Sequence, residues 1–272
     1  MRRRLDAELV RRGLVSSRSA AVEAVRAGLV TVGGAPADNP ARLVDDATAV
    51  HVQHGARRFV SRGGTKLEHA LDAFAVDVDG LRWLDAGAST GGFTDCLLQR
   101  GAREVIAVDV GHGQLAWSLR TDPRVSVLER TNVRALTADA IGGVADGCVV
   151  DLSFISLRVV APALLACTAP GGPLVMLLKP QFEAGRARVG KGGVIRDAAV
   201  HRAVVGEVVD ALAAVGLGVV GLIASPILGA DGNREFLALG RSGAEPLPSE
   251  ALDAVVDGAV PPPRPPSGKN DT

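Results

Sequence analysis

From residue 82 onward, short runs of apolar residues alternate with longer stretches whose apolar positions recur at helical spacing. The runs predict strands over 82–86, 104–109, 125–128, 147–152 and 174–178, with helices between them. Strand–helix alternation of this kind builds a parallel, doubly wound α/β sheet. Two further strands, 217–224 and 235–239, flank the turn Gly229-Ala230-Asp231-Gly232-Asn233 and are expected to pair antiparallel at one edge.

The first fifty or so residues follow a different pattern. Leu5 and Leu9 mark one face of a helix over 5–12, and a second helix starts at a capping Ser16 or Ser17 and turns Ala21, Val22 and Val25 inward. Gly28 ends that helix, a strand follows over 29–32, Gly33-Gly34-Ala35-Pro36 turns the chain, and 50–52 closes the unit as another strand. Such a segment holds little core, so it reads as a small α+β module of marginal independent stability. Residues 54–58 read as a polar hinge, and the proline-rich tail 261–272 is expected to be disordered.

Composition adds bounds. Apolar residues make up 47% and charged residues 22%, the balance of a soluble globular chain, and the formal net charge is zero. Charge is unevenly spread: residues 1–30 carry seven arginines against three acids, the footprint of a contact with a nucleic-acid backbone. Cys96, Cys148 and Cys167 are odd in number and widely spaced, which points to a reducing compartment and to neither a disulfide framework nor a zinc site. The start MRRRLDAELV lacks an apolar core for a signal peptide, and prolines or charges interrupt the most apolar tracts. A cytoplasmic protein with no membrane span and no metal is expected. Lysine is scarce, only Lys66, Lys179, Lys191 and Lys269, so each lysine near a strand end becomes a candidate for chemistry.

The run LDAGASTGGFTD, residues 84–95, carries the first chemical signal. Strand residues lead into Asp85-Ala86-Gly87, and Gly91-Gly92 precedes a helix over 93–99 that begins with Phe93. Glycines there let backbone approach a ligand and open a helix N-terminus toward it. The spacing G-x-x-x-G-G departs from the dinucleotide pattern G-x-G-x-x-G, so a nucleoside with a sulfonium-bearing tail fits better than a pyrophosphate. Asp109 ends the next strand, where a carboxylate accepts from ribose hydroxyls. Asp85 is placed to receive the ammonium of the cofactor tail, directly or through solvent, Ser89 lies within the turn, and Asn132 follows the third strand near the expected adenine edge. S-adenosylmethionine is the cofactor this set suggests.

Four residues stand where a catalytic group would. Asp151 and Lys179 end the fourth and fifth strands, Lys66 starts the helix before the first strand, and Glu235 opens the last one. Ligands of open α/β sheets bind outside the carboxyl ends of the strands. A ribose 2′-hydroxyl is a weak acid, and its methylation needs a group that orients the oxygen and withdraws its proton. Lys179 takes that role in this reading, with Asp151 beside it and Lys66 and Glu235 completing the network. A nicotinamide oxidoreductase would share the sheet but not the glycine spacing, the rim or the basic head.

These residues carry a family resemblance. The second zone resembles the FtsJ-like RNA 2′-O-methyltransferases, whose Lys-Asp-Lys-Glu tetrad corresponds to Lys66, Asp151, Lys179 and Glu235. The run RLDAELVRRGLVSSRSAAVEAVRAGLVTVGG, residues 4–34, is similar to an S4 RNA-binding domain. Together with SRGGTKL, DLSFISL, LLKPQFE and GNREF, these segments resemble the TlyA family over nearly the whole chain. The resemblance implies a Rossmann-like, S-adenosylmethionine-dependent sheet, mostly parallel with its last strand antiparallel, behind a small S4 domain. It implies methylation of cytidine 2′-hydroxyls in 23S and, for longer members, 16S ribosomal RNA within ribosomal subunits, and a link to capreomycin susceptibility. Arg4 and Arg18 would touch RNA, supported by Arg3, Arg11 and Arg12. The family also carries the label haemolysin; an RNA-binding protein with membrane-lytic activity is the alternative, and the sequence offers no inserting element for it. Domains are expected over 1–55, 63–245 and a C-terminal segment 246–260, with a linker over 56–62 that resembles the family's short interdomain linker but carries Phe59 in place of its tryptophan. A monomer is expected, with the basic segment from Gly185 to Gly193 forming a loop that closes over RNA.

Overall fold

The computed structural model describes residues 2–15, 17–26, 28–52, 58–190, 192–229 and 232–259. The expected hinge (apart from Arg58), the tail 261–272, Ser16, Lys191, Ala230 and Asp231 lie outside the described residues. The chain divides into two units, residues 1–58 and 59–272.

The first unit runs β1 (Arg3–Arg4), α1 (Leu5–Arg11), α2 (Arg18–Arg26), β2 (Val30–Val32), β3 (Ala35–Pro36), β4 (Leu43–Val44) and β5 (Val50–Val52). β1 pairs with β4, and β2 stands between β3 and β5, all antiparallel. Ser17 caps α2, its Oγ accepting from the Ala20 amide at 3.1 Å. Leu5, Leu9, Ala21 and Val25 from the helices meet Val30, Val32, Val44 and Val50 from the strands. Period 3.6 on the helices and period 2 on the strands deliver one small shared core.

The second unit runs α3 (Arg62–Ala73), β6 (Arg82–Ala86), α4 (Gly92–Gln99), β7 (Glu104–Val108), α5 (Trp117–Arg120), β8 (Val125–Leu128), β9 (Gly147–Val150), α6 (Leu157–Cys167), β10 (Leu174–Leu178), α7 (Pro180–Glu183), α8 (Ala198–Ala214), β11 (Leu217–Ala224), β12 (Phe236–Ser242) and α9 (Ser249–Ala259). The seven strands lie in the order β11-β12-β10-β9-β6-β7-β8. β12 runs antiparallel to both neighbours, and the β6, β7, β8, β9 and β10 pairings are parallel. The last strand thus slots between β10 and the edge strand β11.

Both faces of this sheet are covered, which is why its central strands are apolar without alternation. Leu84, Ala86, Cys148, Val150, Met176 and Leu178 pack on one face with α6 and α8. Trp83, Val149, Val175 and Leu177 pack on the other, with Leu67 and Leu71 of α3 and Leu97 of α4. Phe59 is buried in this second layer, and the Val60 amide donates to Asp95 Oδ2 at 2.8 Å. These two residues of the expected linker are therefore part of the second unit's own packing. In the segment 246–260, for which the sequence pattern suggested no element, Ser249–Ala259 form α9 and bury Leu252, Val256 and Ala259 on the α8 side. Strands β7 and β9 stop one and two residues earlier than the apolar runs suggest, which leaves Asp109 and Asp151 on the loops just beyond them.

Candidate active site

Parallel strands β6, β9 and β10 end on the same edge of the sheet, and the loops after them surround a cavity of about 440 Å³. Its walls include Lys66, Gly87, Ser89, Gly92, Phe93, Asp151, Lys179 and Glu235. All four rim residues and most of the glycine turn therefore share one concave space, of the size small-molecule sites have.

The four polar residues form two ion pairs. Lys66 sits a turn inside α3 and donates to Glu235 Oε2; both side chains are buried. Lys179 Nζ lies 2.5 Å from Asp151 Oδ1 and donates to Ser153 Oγ at 3.1 Å. It also stands 5.7 Å from the ring centroid of Phe182. Pro180 immediately after Lys179 fixes the chain direction, starting α7 at the end of β10.

The turn below is held against Asp151. Gly87 has φ 93°, and a Cβ there would lie 2.4 Å from the Asp151 carbonyl oxygen. The Asp151 amide donates to the Ala86 carbonyl at 3.0 Å, and the Gly87 amide to that of Val108 at 2.8 Å. Gly91, at φ 98°, turns the chain into α4. Ser89, at φ 49°, gives its amide to Asp109 Oδ2 at 2.8 Å, while Asp109 Oδ1 accepts from Gly111 at 2.6 Å. Beside it, Ala88, Ser89, Asp109, Gly111, Gln114, Leu115 and Glu129 line a narrow groove.

Two expected contacts fall elsewhere. Asp85 is fully buried and does not line the cavity; Oδ2 accepts from Thr94 Oγ1 at 2.6 Å, and Oδ1 has no partner among the described residues. Burial pushes its carboxyl up to about 7, with the charge of Asp151 adding to it against the Thr94 hydrogen bond. Asn132 lines neither space and uses Oδ1 to cap a short turn through the Arg134 amide, at 3.0 Å. Because the folded chain holds the Asp85 proton more tightly than the unfolded one, stability should decline as pH rises from about 4 towards 7. Asp85→Asn should flatten that decline while keeping the Thr94 contact, as urea titrations at several pH values would show.

Sequence reasoning gave no role to Phe154, which is 89% exposed beside Asp151 with φ 64°. Its ring lies 4.9 Å from that of Phe182, and both line the cavity. The available signal was an aromatic in a strand-end loop where no core needs one.

Residues 59–242 match the FtsJ-like methyltransferase family, and residues 3–50 match the S4 domain. The 16S/23S rRNA (cytidine-2'-O)-methyltransferase TlyA of Mycobacterium tuberculosis is 52% identical over 261 residues, 95% of this chain and 97% of that protein. The chain belongs to the TlyA family of FtsJ-like methyltransferases. Hemolysin A of Brachyspira hyodysenteriae is 39% identical, over 86% of this chain and 98% of its own length. A solved structure from Streptococcus thermophilus, provisionally named a hemolysin, aligns with TM-score 0.76 and 41% identity, covering 95% of each chain. In this TlyA-family chain no helix among the described residues is long and apolar enough to cross a membrane.

The S4 unit sorts its arginines by what they touch. Arg12 is the least exposed, donating to Glu8 and to the carbonyls of Thr48 at 2.8 Å and Asp45 at 3.0 Å. Arg11 and Arg3 flank Glu8 and Asp46. Arg4 and Arg18 share Asp6, at 2.9 and 3.2 Å, and keep half or more of their side chains exposed. Hydrogen bonds, from Arg4 to Asp6 and from Arg11 and Arg12 to Glu8, hold both carboxyls down near about 2. Of the five arginines expected on RNA, Arg12 and Arg3 are thus the more covered, and Arg4, Arg11 and Arg18 keep about half or more of their side chains exposed.

Proposed function

We propose that this chain transfers a methyl group from S-adenosylmethionine to the 2′-hydroxyl of cytidine in ribosomal RNA, in 23S and 16S alike. The observation that carries the reading is the pairing of Asp151 with Lys179 and of Lys66 with Glu235 around one cavity that the glycine turn also lines. The M. tuberculosis relative, matched over nearly its full length, supplies the acceptor by its name.

The residues present fit the cofactor. An unpaired buried carboxylate oxygen at Asp85 lies beneath the turn, Asp109 faces the groove beside it, and the backbone of Gly87, Ser89 and Gly92 forms the wall. Asp109 would hold the ribose hydroxyls, and the turn would seat the amino-acid tail, with Asp85 adding charge from below. Bound there, the cofactor supplies an electrophilic methyl. Lys179, once it has passed a proton to the Asp151 carboxylate beside it, orients the acceptor oxygen with its neutral amine and takes up the hydroxyl proton as the methyl is transferred, and Asp151 holds the lysine in place. The buried Lys66–Glu235 pair walls the cavity with charges that already have partners, so breaking it would be costly.

Phe154 offers its open face to the base of the target nucleotide, with Phe182 behind it. Phe154→Ala should lower kcat/KM for RNA about tenfold or more, from the roughly 1–3 kcal/mol that a base stacked on an aromatic contributes, with the cofactor's Kd unchanged. In the S4 unit, Arg4 and Arg18 face the RNA backbone, pre-oriented by Asp6.

Thermal unfolding tests the cofactor assignment. A ligand that binds only the folded chain stabilises it by about 2.7 kcal/mol at a hundredfold its Kd. S-adenosylmethionine should raise the Tm, and NADH should leave it in place. The reverse pattern would overturn the assignment in favour of a dinucleotide enzyme.

A further inference from the structure

Asn233 has no part in the chemistry above, yet it is buried, 2% exposed, two residues ahead of Glu235. Its Oδ1 accepts from the Ile195 amide at 3.1 Å, and its Nδ2 donates to the Gly193 carbonyl at 2.9 Å. The side-chain amide thus pairs with the loop before α8 as another peptide group would. Its own carbonyl accepts from the Gly229 amide at 2.9 Å, which closes the turn leading to β12.

That turn confines Glu235. A Cβ on Gly229 would come within 2.5 Å of Glu235 Oε1, so only glycine leaves the carboxylate its place. The Ser225 amide donates to the Glu235 carbonyl at 2.9 Å, and Lys66 pairs with Oε2. Backbone fixes Glu235 from two directions and Lys66 from a third. The remaining anchor, between the turn and the loop from Gly193 to Ile195, is Asn233.

We infer that Asn233 is a positioning residue for methyl transfer: by tying the loop at Gly193 and Ile195 to the Gly229 turn, it holds the Glu235 carboxylate on Lys66. This rests on the reading of Glu235 as part of the methyl-transfer site. The two bonds demand an amide in particular. An aspartate keeps the acceptor for Ile195 but faces the Gly193 carbonyl with a second oxygen, and a buried polar pair without a proton between them repels.

The test compares Asn233→Asp with the parent chain. The expected result is an unchanged Kd for S-adenosylmethionine and an unchanged KM for RNA, with the Tm lowered by the repulsion at Gly193 and kcat lower on the order of 10²-fold, the cost of a catalytic group displaced by about an ångström. A folded variant with parental kcat would overturn the proposal. So would a loss of cofactor affinity or a rise in KM for RNA that matches the fall in kcat, which marks a general structural role. If Asn233→Asp does not fold, Asn233→Ser is read by the same split. Hydrogen exchange on the parent chain needs no activity: the Ile195 amide should be protected as strongly as those of β12, and exchange at the rate of an open loop would overturn the tie itself. Failure of the proposed function shows differently, as absence of methyl transfer by the parent chain while Ile195 stays protected.

Discussion

Lys179→Ala should bind S-adenosylmethionine as the parent chain does and methylate ribosomal RNA roughly 10²- to 10⁴-fold more slowly, the range a positioned acid–base group contributes. Lys179 follows β10 and precedes α7, and its ammonium reaches Asp151 at 2.5 Å and Ser153 at 3.1 Å across the mouth of the cavity. Truncation removes the group that orients the acceptor oxygen and receives its proton, and leaves the turn from Gly87 to Gly92 untouched. Lys179→Arg should be nearly as slow, because a guanidinium keeps the charge but stays protonated near neutral pH and has no lone pair to take up the hydroxyl proton. Single-turnover transfer with enzyme in excess, beside a separate measurement of cofactor Kd, isolates the step. Full transfer by either variant would remove Lys179 from the chemistry.

Gly87→Ala should abolish useful cofactor affinity and destabilise the second unit. At φ 93° an alanine is strained by about 1–3 kcal/mol. Its Cβ would stand 2.4 Å from the Asp151 carbonyl oxygen, an overlap that forces backbone to move at a further cost of roughly 1–3 kcal/mol. The displaced atoms belong to the cofactor turn and to the backbone of a rim residue at once. Cofactor Kd should rise tenfold or more, and the Tm should fall by about 2–4 °C for each kcal/mol lost, as expected for 150–250 residues. Parental affinity in this variant would show that the turn does not hold the cofactor.

Much of this was readable from the chain. The five parallel strands announced themselves because both faces of the sheet are buried, so Trp83-Leu84 or Leu174 to Leu178 run apolar without a break. The antiparallel pairing of β11 and β12 followed from the turn between them; that β12 lies inside the sheet, against β10, is a long-range choice with no local signature. Helix α9 was hidden by its place after the last strand, although Leu252, Val256 and Ala259 have helical spacing.

The site was legible to the extent that it sits on strand ends. Asp151 and Lys179 were found at strand ends, Lys66 at a helix start and Glu235 at the head of the last strand, and the family tetrad matched all four; the pairing of Lys66 with Glu235 across 169 positions required the fold. Asp85 illustrates the limit. Its place in the motif suggested that it receives the cofactor's ammonium directly or through solvent, and its buried side chain meets Thr94 of α4. Asn132 was likewise assigned by position, and its oxygen caps a turn. Among the arginines, composition counted charge without counting partners, and Asp6, Glu8 and Asp46 claim much of it.

The central claim is transfer to a ribose oxygen of cytidine in ribosomal RNA. Tritiated methyl groups from S-adenosylmethionine would be transferred by the chain to purified ribosomal subunits and to naked RNA, which is then digested in alkali. Alkaline cleavage needs a free 2′-hydroxyl beside each phosphate, so a methylated ribose leaves an uncut dinucleotide. The account predicts label in alkali-resistant dinucleotides that begin with cytidine. Label confined to single nucleotides would place the methyl group on a base, and RNA without label, under conditions where the cofactor binds, would contradict the account outright.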